Sequence, residues 1–274
     1  MHGAIRLLAT LLPIAYGLVS VAYFLVFFRK DPVARRLGPR ALGVTALLHA
    51  AYIALLTVEL QRVPIATSFE LLSALALALA VVYVVQEKRS GTPYTGVLFV
   101  PLVFVCQTVA SAFINPTIEI KPILQSPLFG LHIAGVLLGY SSFAVSAVFG
   151  LLYLMLYYEL RAHRFGIIYE RLPSLEVLSG MNWRAAMFGL ACLSLAIGAG
   201  ALMSVEAYPR FWQDPKVWFS VLTWVVYALC LLVRIAGGWQ GTRMAYFTIA
   251  GFLLIVFSML AVTRLFPSFH DFRI

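Results

Sequence analysis

Eight apolar runs, each long enough to cross a bilayer, leave this chain few ways to fold. They lie near residues 8–28, 41–60, 67–86, 95–114, 131–158, 184–203, 217–236 and 244–264. About 20 apolar residues in a helix span the ~30 Å hydrocarbon layer. With 274 residues that are 62% hydrophobic and only 11% charged, the chain carries more apolar surface than one soluble core can hide. Its mean hydropathy of +0.93 agrees. In lipid every backbone N–H and C=O must find a partner within the protein, so spanning segments are helices or closed barrels. Runs of this length without alternation are helices. The expected fold is an all-α integral membrane protein, a bundle of about eight transmembrane helices forming a single polytopic domain over residues 1–274, with no internal repeat.

Net charge is +9, a value that invites a nucleic-acid reading until the charges are placed. The connections after runs 1, 3, 5 and 7 hold Arg29, Lys30, Arg35, Arg36 and Arg40, then Lys88 and Arg89, then Arg161, Arg164, Arg171 and Arg184, then Arg234 and Arg243. These are 13 of the 20 basic residues. The other face receives the remaining seven: Arg6, Arg62, Lys121, Arg210, Lys216, Arg264 and Arg273. Cytoplasmic loops are enriched in Lys and Arg, so both termini are expected to be extracytoplasmic. The basic excess reads as topology, not as a nucleic-acid footprint. No cleavable signal peptide is expected, because the first run is long enough to span and leads into a basic cluster. Cys106, Cys192 and Cys230 all fall inside runs without CxxC or CxxCH spacing, so neither a redox pair nor covalent haem attachment to this chain is expected.

On that topology the outer face collects groups from distant parts of the sequence. His132 opens the fifth run and His270 follows the eighth. Between them Tyr208-Pro-Arg-Phe-Trp-Gln-Asp-Pro-Lys216 joins the sixth and seventh runs. Two readings stand side by side. Neutral imidazoles ligate haem iron, Tyr208, Phe211, Trp212 and Trp218 can stack on a porphyrin, and Arg210 or Lys216 can pair with propionates. Alternatively the histidines are ordinary interfacial residues within an aromatic belt. His49, mid-run, is either part of a site or a neutral histidine hydrogen-bonded to a neighbouring helix. Glu59 and Glu70 read as interfacial charges reaching water or Arg62. Gly189, Gly198 and Gly200 read as close-packing positions, and a short amphipathic helix is expected around Leu172–Leu178.

Three stretches carry a family resemblance. Leu131-His-Ile-Ala-Gly-Val-Leu-Leu-Gly-Tyr-Ser-Ser-Phe143 is similar to a His-led helix with Tyr and Phe downstream. Leu172-Pro-Ser-Leu-Glu176 is similar to an inner loop. Asp214-Pro-Lys216, followed by Thr223-Trp224, Tyr227, Arg234, Gly238-Trp239 and Gly251-Phe252, tracks the segment after a tryptophan-rich haem motif. This ordered series resembles the CcsA-type (system II) haem-handling membrane proteins of cytochrome c assembly and their HemX-like relatives, over roughly residues 120–272. Pro64-Ile-Ala-Thr-Ser-Phe-Glu70 resembles the family's Pro-x-x-Asn-x-Tyr-Glu stretch more weakly.

The resemblance implies that His132 and His270 are outer axial ligands of non-covalent haem b. It makes the 208–218 loop, with Tyr208, Phe211, Trp212, Asp214 and Trp218, the haem platform, with His49 at most a secondary contact. It implies a multi-pass protein of the cell (inner or plasma) membrane that presents haem to apocytochrome c beside a partner membrane subunit. Whether it forms part of a haem-lyase (synthase) system stays open. Two departures bear on that. Gln213 precedes Asp214 where the family has tryptophan, and Leu232 stands where synthase members carry a histidine inside the next helix. Both favour the alternative of a HemX-like accessory or regulatory protein without ligation activity. The remaining alternative, a small-molecule transporter, needs a polar pathway, for which the sequence offers only His49 and a few hydroxyls at depth.

Overall fold

The computed structural model describes residues 2–113, 126–163, 165–207 and 213–259. Among them there is no strand, and nine α-helices follow one another. They are α1 (His2–Phe24, continued by a π-turn Leu25–Arg29), α2 (Pro32–Leu60), α3 (Ser68–Ser90), α4 (Gly96–Phe113), α5 (Pro127–Arg161), α6 (Ile167–Arg171), α7 (Leu175–Ala207), α8 (Pro215–Gly237) and α9 (Thr242–Phe257). Seven are long and apolar enough to cross a membrane, and α9 is a shorter apolar helix. The chain is an all-helical, multi-pass membrane protein. Apart from residues at their very ends, all eight apolar runs are helical where they are described.

The helices sort into two compact units, residues 1–126 and 127–273. In the first, α1 shows the reversal of sides that a bilayer imposes. Leu7, Leu11, Ile14, Leu18 and Val21, spaced three and four apart, are exposed, while Leu12, Tyr16, Val19 and Tyr23 are buried. An exposed stripe of that kind is a lipid-facing surface. The buried side chains of this unit are unusually polar for a core, with Tyr16, Tyr23, Tyr52, Tyr83, His49, Ser73 and Gln107 all at 1% exposure or less.

Successive helices of this unit run antiparallel. Tyr16 and His49 link α1 to α2, and Ser73 links α3 to both His49 and Gln107. The basic residues 29–40 and 88–89 therefore share one end. At the opposite end the α2–α3 connection is closed by a bidentate ion pair, Arg62 Nη1 and Nη2 to Glu70 Oε2 and Oε1 at 2.7 and 2.8 Å. Both side chains are 1% exposed, and Glu70 Oε2 also accepts from the Ala66 N–H at 2.7 Å. Glu70 does find Arg62, but away from water, because the connection folds over the pair.

Two expectations are corrected here. The segment before residue 41, read as a basic loop, is the first nine residues of α2. Asp31 caps it by accepting from the Ala34 N–H at 2.7 Å, and Pro32 occupies the first turn, where its missing N–H costs nothing. The helix expected around Leu172–Leu178 does not exist as a separate element. Pro173 disfavours helix at Leu172, Ser174 Oγ accepts from the Val177 N–H at 3.4 Å, and α7 starts at Leu175.

In the second unit α5 and α7 cross along a line of small residues. A Cβ on Gly135 would meet the Cys192 carbonyl at 2.9 Å and the Ala196 Cβ at 3.0 Å. One on Gly189 would meet the Phe143 ring at 2.7 Å and the Gly139 carbonyl at 3.1 Å. Gly189 is therefore a close-packing position, as expected. Gly198 is not, having nothing within 4 Å. Phe143 and Tyr227 stack at 3.7 Å between ring centroids, joining α5 to α8, and Asn182 bridges Ser146 on α5 to Thr248 on α9.

Candidate functional site

The pairings inside the second unit fix which residues share an end. Residue 132 on α5 meets 196 on α7 and residue 146 meets 182, so these helices are antiparallel. Tyr140 and Ser220 bond at 3.1 Å, and Trp224 donates to Ser194 at 2.7 Å. The start of α5, the end of α7 and the start of α8 therefore lie together. His132, Asp214 and Trp218 occupy this one end, away from Arg161, Arg234 and Arg243. The sequence expectation grouped these three, and the tertiary structure brings them to the same end. Tyr208, Phe211, Trp212 and His270, the other expected site residues, lie outside the described residues.

His132 is half-buried, one turn into α5, and its Nδ1 lies 2.8 Å from the Ala196 carbonyl oxygen. A carbonyl only accepts, so Nδ1 carries the proton and donates, and the lone pair sits on Nε2. Gly135, one turn on, lets α5 come close enough for that bond. Asp214 is 3% exposed. Its Oδ1 accepts from the Lys216 N–H at 2.8 Å as the cap of α8, with Pro215 in the first helical position. Trp218, one turn into α8, is 56% exposed.

His49 belongs to the first unit, fully buried, with a partner on each ring nitrogen. Tyr16 Oη lies 3.1 Å from Nδ1 and Ser73 Oγ 3.1 Å from Nε2. Because Ser73 gives its own proton to Gln107 Oε1 at 2.9 Å, Nε2 donates to Ser73 and Nδ1 accepts from Tyr16. Gln107 passes the series on to Ser111 at 3.0 Å. This is the hydrogen-bonded neutral histidine that the sequence offered as one of two readings. Leu232 is 59% exposed on α8 and points away from the packed interior. The Ala196 carbonyl was invisible in the sequence, since a backbone acceptor has no side-chain signature. The Gly135/Gly139 spacing was the available signal for the α5–α7 approach.

The sequence model of the Cytochrome C assembly protein family matches residues 14–270. The chain belongs to that family. The match begins well before residue 120, so membership embraces both units. Among curated relatives, the cytochrome c biogenesis protein CcsA of Mesostigma viride is 22% identical, over 94% of this chain and 90% of its own length. That of Synechococcus sp. (strain RCC307) is 25% identical, over 94% and 93%. That of Guillardia theta reaches 29% over a shorter stretch, 55% of this chain and 56% of its own.

Proposed function

We propose that this family member works in cytochrome c biogenesis. In this reading it binds haem b non-covalently at the His132 end of its second unit and presents it, on the extracytoplasmic face of a cell membrane, to apocytochrome c. The observation that carries the reading is the His132 Nδ1–H···O=C Ala196 bond. Histidines that ligate metals characteristically donate their other ring N–H to a carbonyl or carboxylate, which fixes the tautomer and orients the ring. His132 has that arrangement, so its Nε2 suits an axial position and its side chain fits the cofactor.

The remaining roles follow from the family resemblance. His270 supplies the opposite ligand, Tyr208, Phe211, Trp212 and Trp218 supply stacking surface, and Asp214 holds the start of α8, from which Trp218 projects. Haem brings the vinyl groups to which apocytochrome thiols are joined. This chain orients the group, limits its loss, and works with a partner membrane subunit that engages the apocytochrome.

The first prediction tests this directly. Protein purified in detergent and supplied with haem is expected to show a low-spin six-coordinate absorption spectrum. His132→Ala should convert it to a five-coordinate or haem-free form, because removal of one axial ligand opens the iron on that side. An unchanged spectrum in His132→Ala overturns the ligand assignment.

A second reading, an accessory protein of HemX-like kind without ligation activity, is favoured by one observation. Leu232, standing where synthase members carry an internal histidine, faces outward at 59% exposure. A chain that binds haem through His132 yet matures no cytochrome c when co-expressed with its partner subunit would support that reading over haem delivery.

A further inference from the structure

The first unit buries a carboxyl group that, among the described residues, pairs with no cation. Glu87 lies in the last turn of α3 and is 5% exposed. Tyr23, reaching across from α1, donates to its Oε2 at 2.5 Å. Its Oε1 has no hydrogen-bond partner among the described residues. Tyr83, one turn earlier on α3, brings a second hydroxyl to the group, and itself bonds Thr95 at 3.3 Å.

The charged residues nearby face elsewhere. Lys88 and Arg89 are exposed, and Arg35 on α2 lies over the Tyr94 ring at 5.7 Å. Among the described residues no Lys, Arg or His forms an ion pair with Glu87. The contrast with Glu70, seventeen residues earlier on the same helix, is direct. There the carboxylate has Arg62 on both oxygens and a backbone N–H besides.

An ionised carboxylate taken out of water without a cation is among the most costly groups a protein can bury, and it neutralises instead. The two tyrosine hydroxyls moderate that cost without cancelling the charge. Ionisable groups inside membrane segments are rare for this reason and mark ion or proton sites when present. Apolar side chains of similar size, as in Tyr23→Phe with Glu87→Leu, would fill the same space without a polar group to satisfy. Packing alone therefore does not call for a carboxyl here.

We propose that Glu87 is a reversible proton-binding site of the first unit, at the end that carries the basic connections, with Tyr23 as the residue that positions it. One proton from that aqueous side is taken up by the carboxylate and returned to it, with no redox change. Tyr23 keeps its own proton and holds Oε2, leaving Oε1 as the atom that gains and loses the ligand. This site is independent of the haem reading and requires no cofactor.

Dicyclohexylcarbodiimide tests it, because that apolar reagent enters membrane interiors and reacts only with a protonated carboxyl. The carboxyl oxygen bonds the central carbodiimide carbon while the carboxyl proton moves to nitrogen, and the adduct rearranges to a stable N-acylurea. In the full chain in detergent, peptide mass mapping is expected to place the label on Glu87, strong on the acid side of its half-point and falling about tenfold per unit above it. Glu70, held by Arg62, should stay unlabelled. Tyr23→Phe removes a donor that favours the ionised form, so the half-point should move to higher pH. Glu87→Gln should lose the label while retaining the melting temperature. Labelling that is absent at every pH in folded protein, or that does not vary with pH, overturns the proposal. Protection by sodium at constant pH overturns the proton assignment in favour of a bound monovalent metal cation.

Discussion

One backbone carbonyl, that of Ala196, decides which nitrogen of His132 keeps a proton, and one missing side chain, that of Gly135, lets the carbonyl come within reach. A β-carbon there would lie 2.9 Å from the Cys192 carbonyl. Gly135→Val therefore has to push α7 outward and lengthen the His132 bond. Overpacking of this kind costs about 1–3 kcal/mol. Gly135→Val is expected to lower the thermal unfolding midpoint in detergent and to weaken haem retention. Gly198→Ala, on the same helix as Ala196 but with nothing within 4 Å, should change neither. Equal behaviour of the two variants would refute the close α5–α7 crossing. His49 makes the complementary point. Each of its nitrogens is engaged by a neighbouring helix, so at the residue scale it holds α1, α2 and α3 together whatever else it contacts.

Helix starts are set by capping chemistry more than by the edges of apolar runs. Asp31 with Pro32, and Asp214 with Pro215, share one device: a carboxylate that accepts an early N–H, followed by a residue whose own N–H is not needed. Asp214-Pro-Lys216 thereby acquires a physical reason inside the family series. It fixes where α8 begins, and with it the position of Trp218. Asp214→Ala is expected to cost about 0.5–2 kcal/mol as a lost cap, whereas Asp214→Asn keeps most of it. The measurement is the thermal midpoint of each variant, read alongside haem content. Loss of haem in the Ala variant with retention in the Asn variant would place the residue's role in the helix start. Loss in both, at unchanged midpoint, would point to a direct part in the site.

Orientation is the property of the whole chain that its charges address. The division of 13 basic residues against seven predicts that both termini, and the His132 end, lie outside the cytoplasm. A reporter active only outside the cytoplasm should work when fused after Ile274. One active only inside should work when inserted at Gly91, the exposed residue that ends α3 with φ +69°. The opposite pattern would invert the topology, and the proposed haem site with it.

The long apolar helices, membrane class, the basic ends and the family were all legible before any coordinates. Hydropathy and charge add along a local window, and each spanning helix satisfies its own backbone, so neither property depends on which helices become neighbours. Register against neighbours is what the tertiary structure decided. It paired Glu70 with Arg62 out of reach of water, gave His49 a tyrosine and a serine from other helices, and left Glu87 with hydroxyls alone. It also turned Leu232 and Gly198 outward and sorted the helices into two compact units. The partner of a buried polar group is chosen by which face of which helix packs against it, and that choice is a sum over contacts distant in sequence.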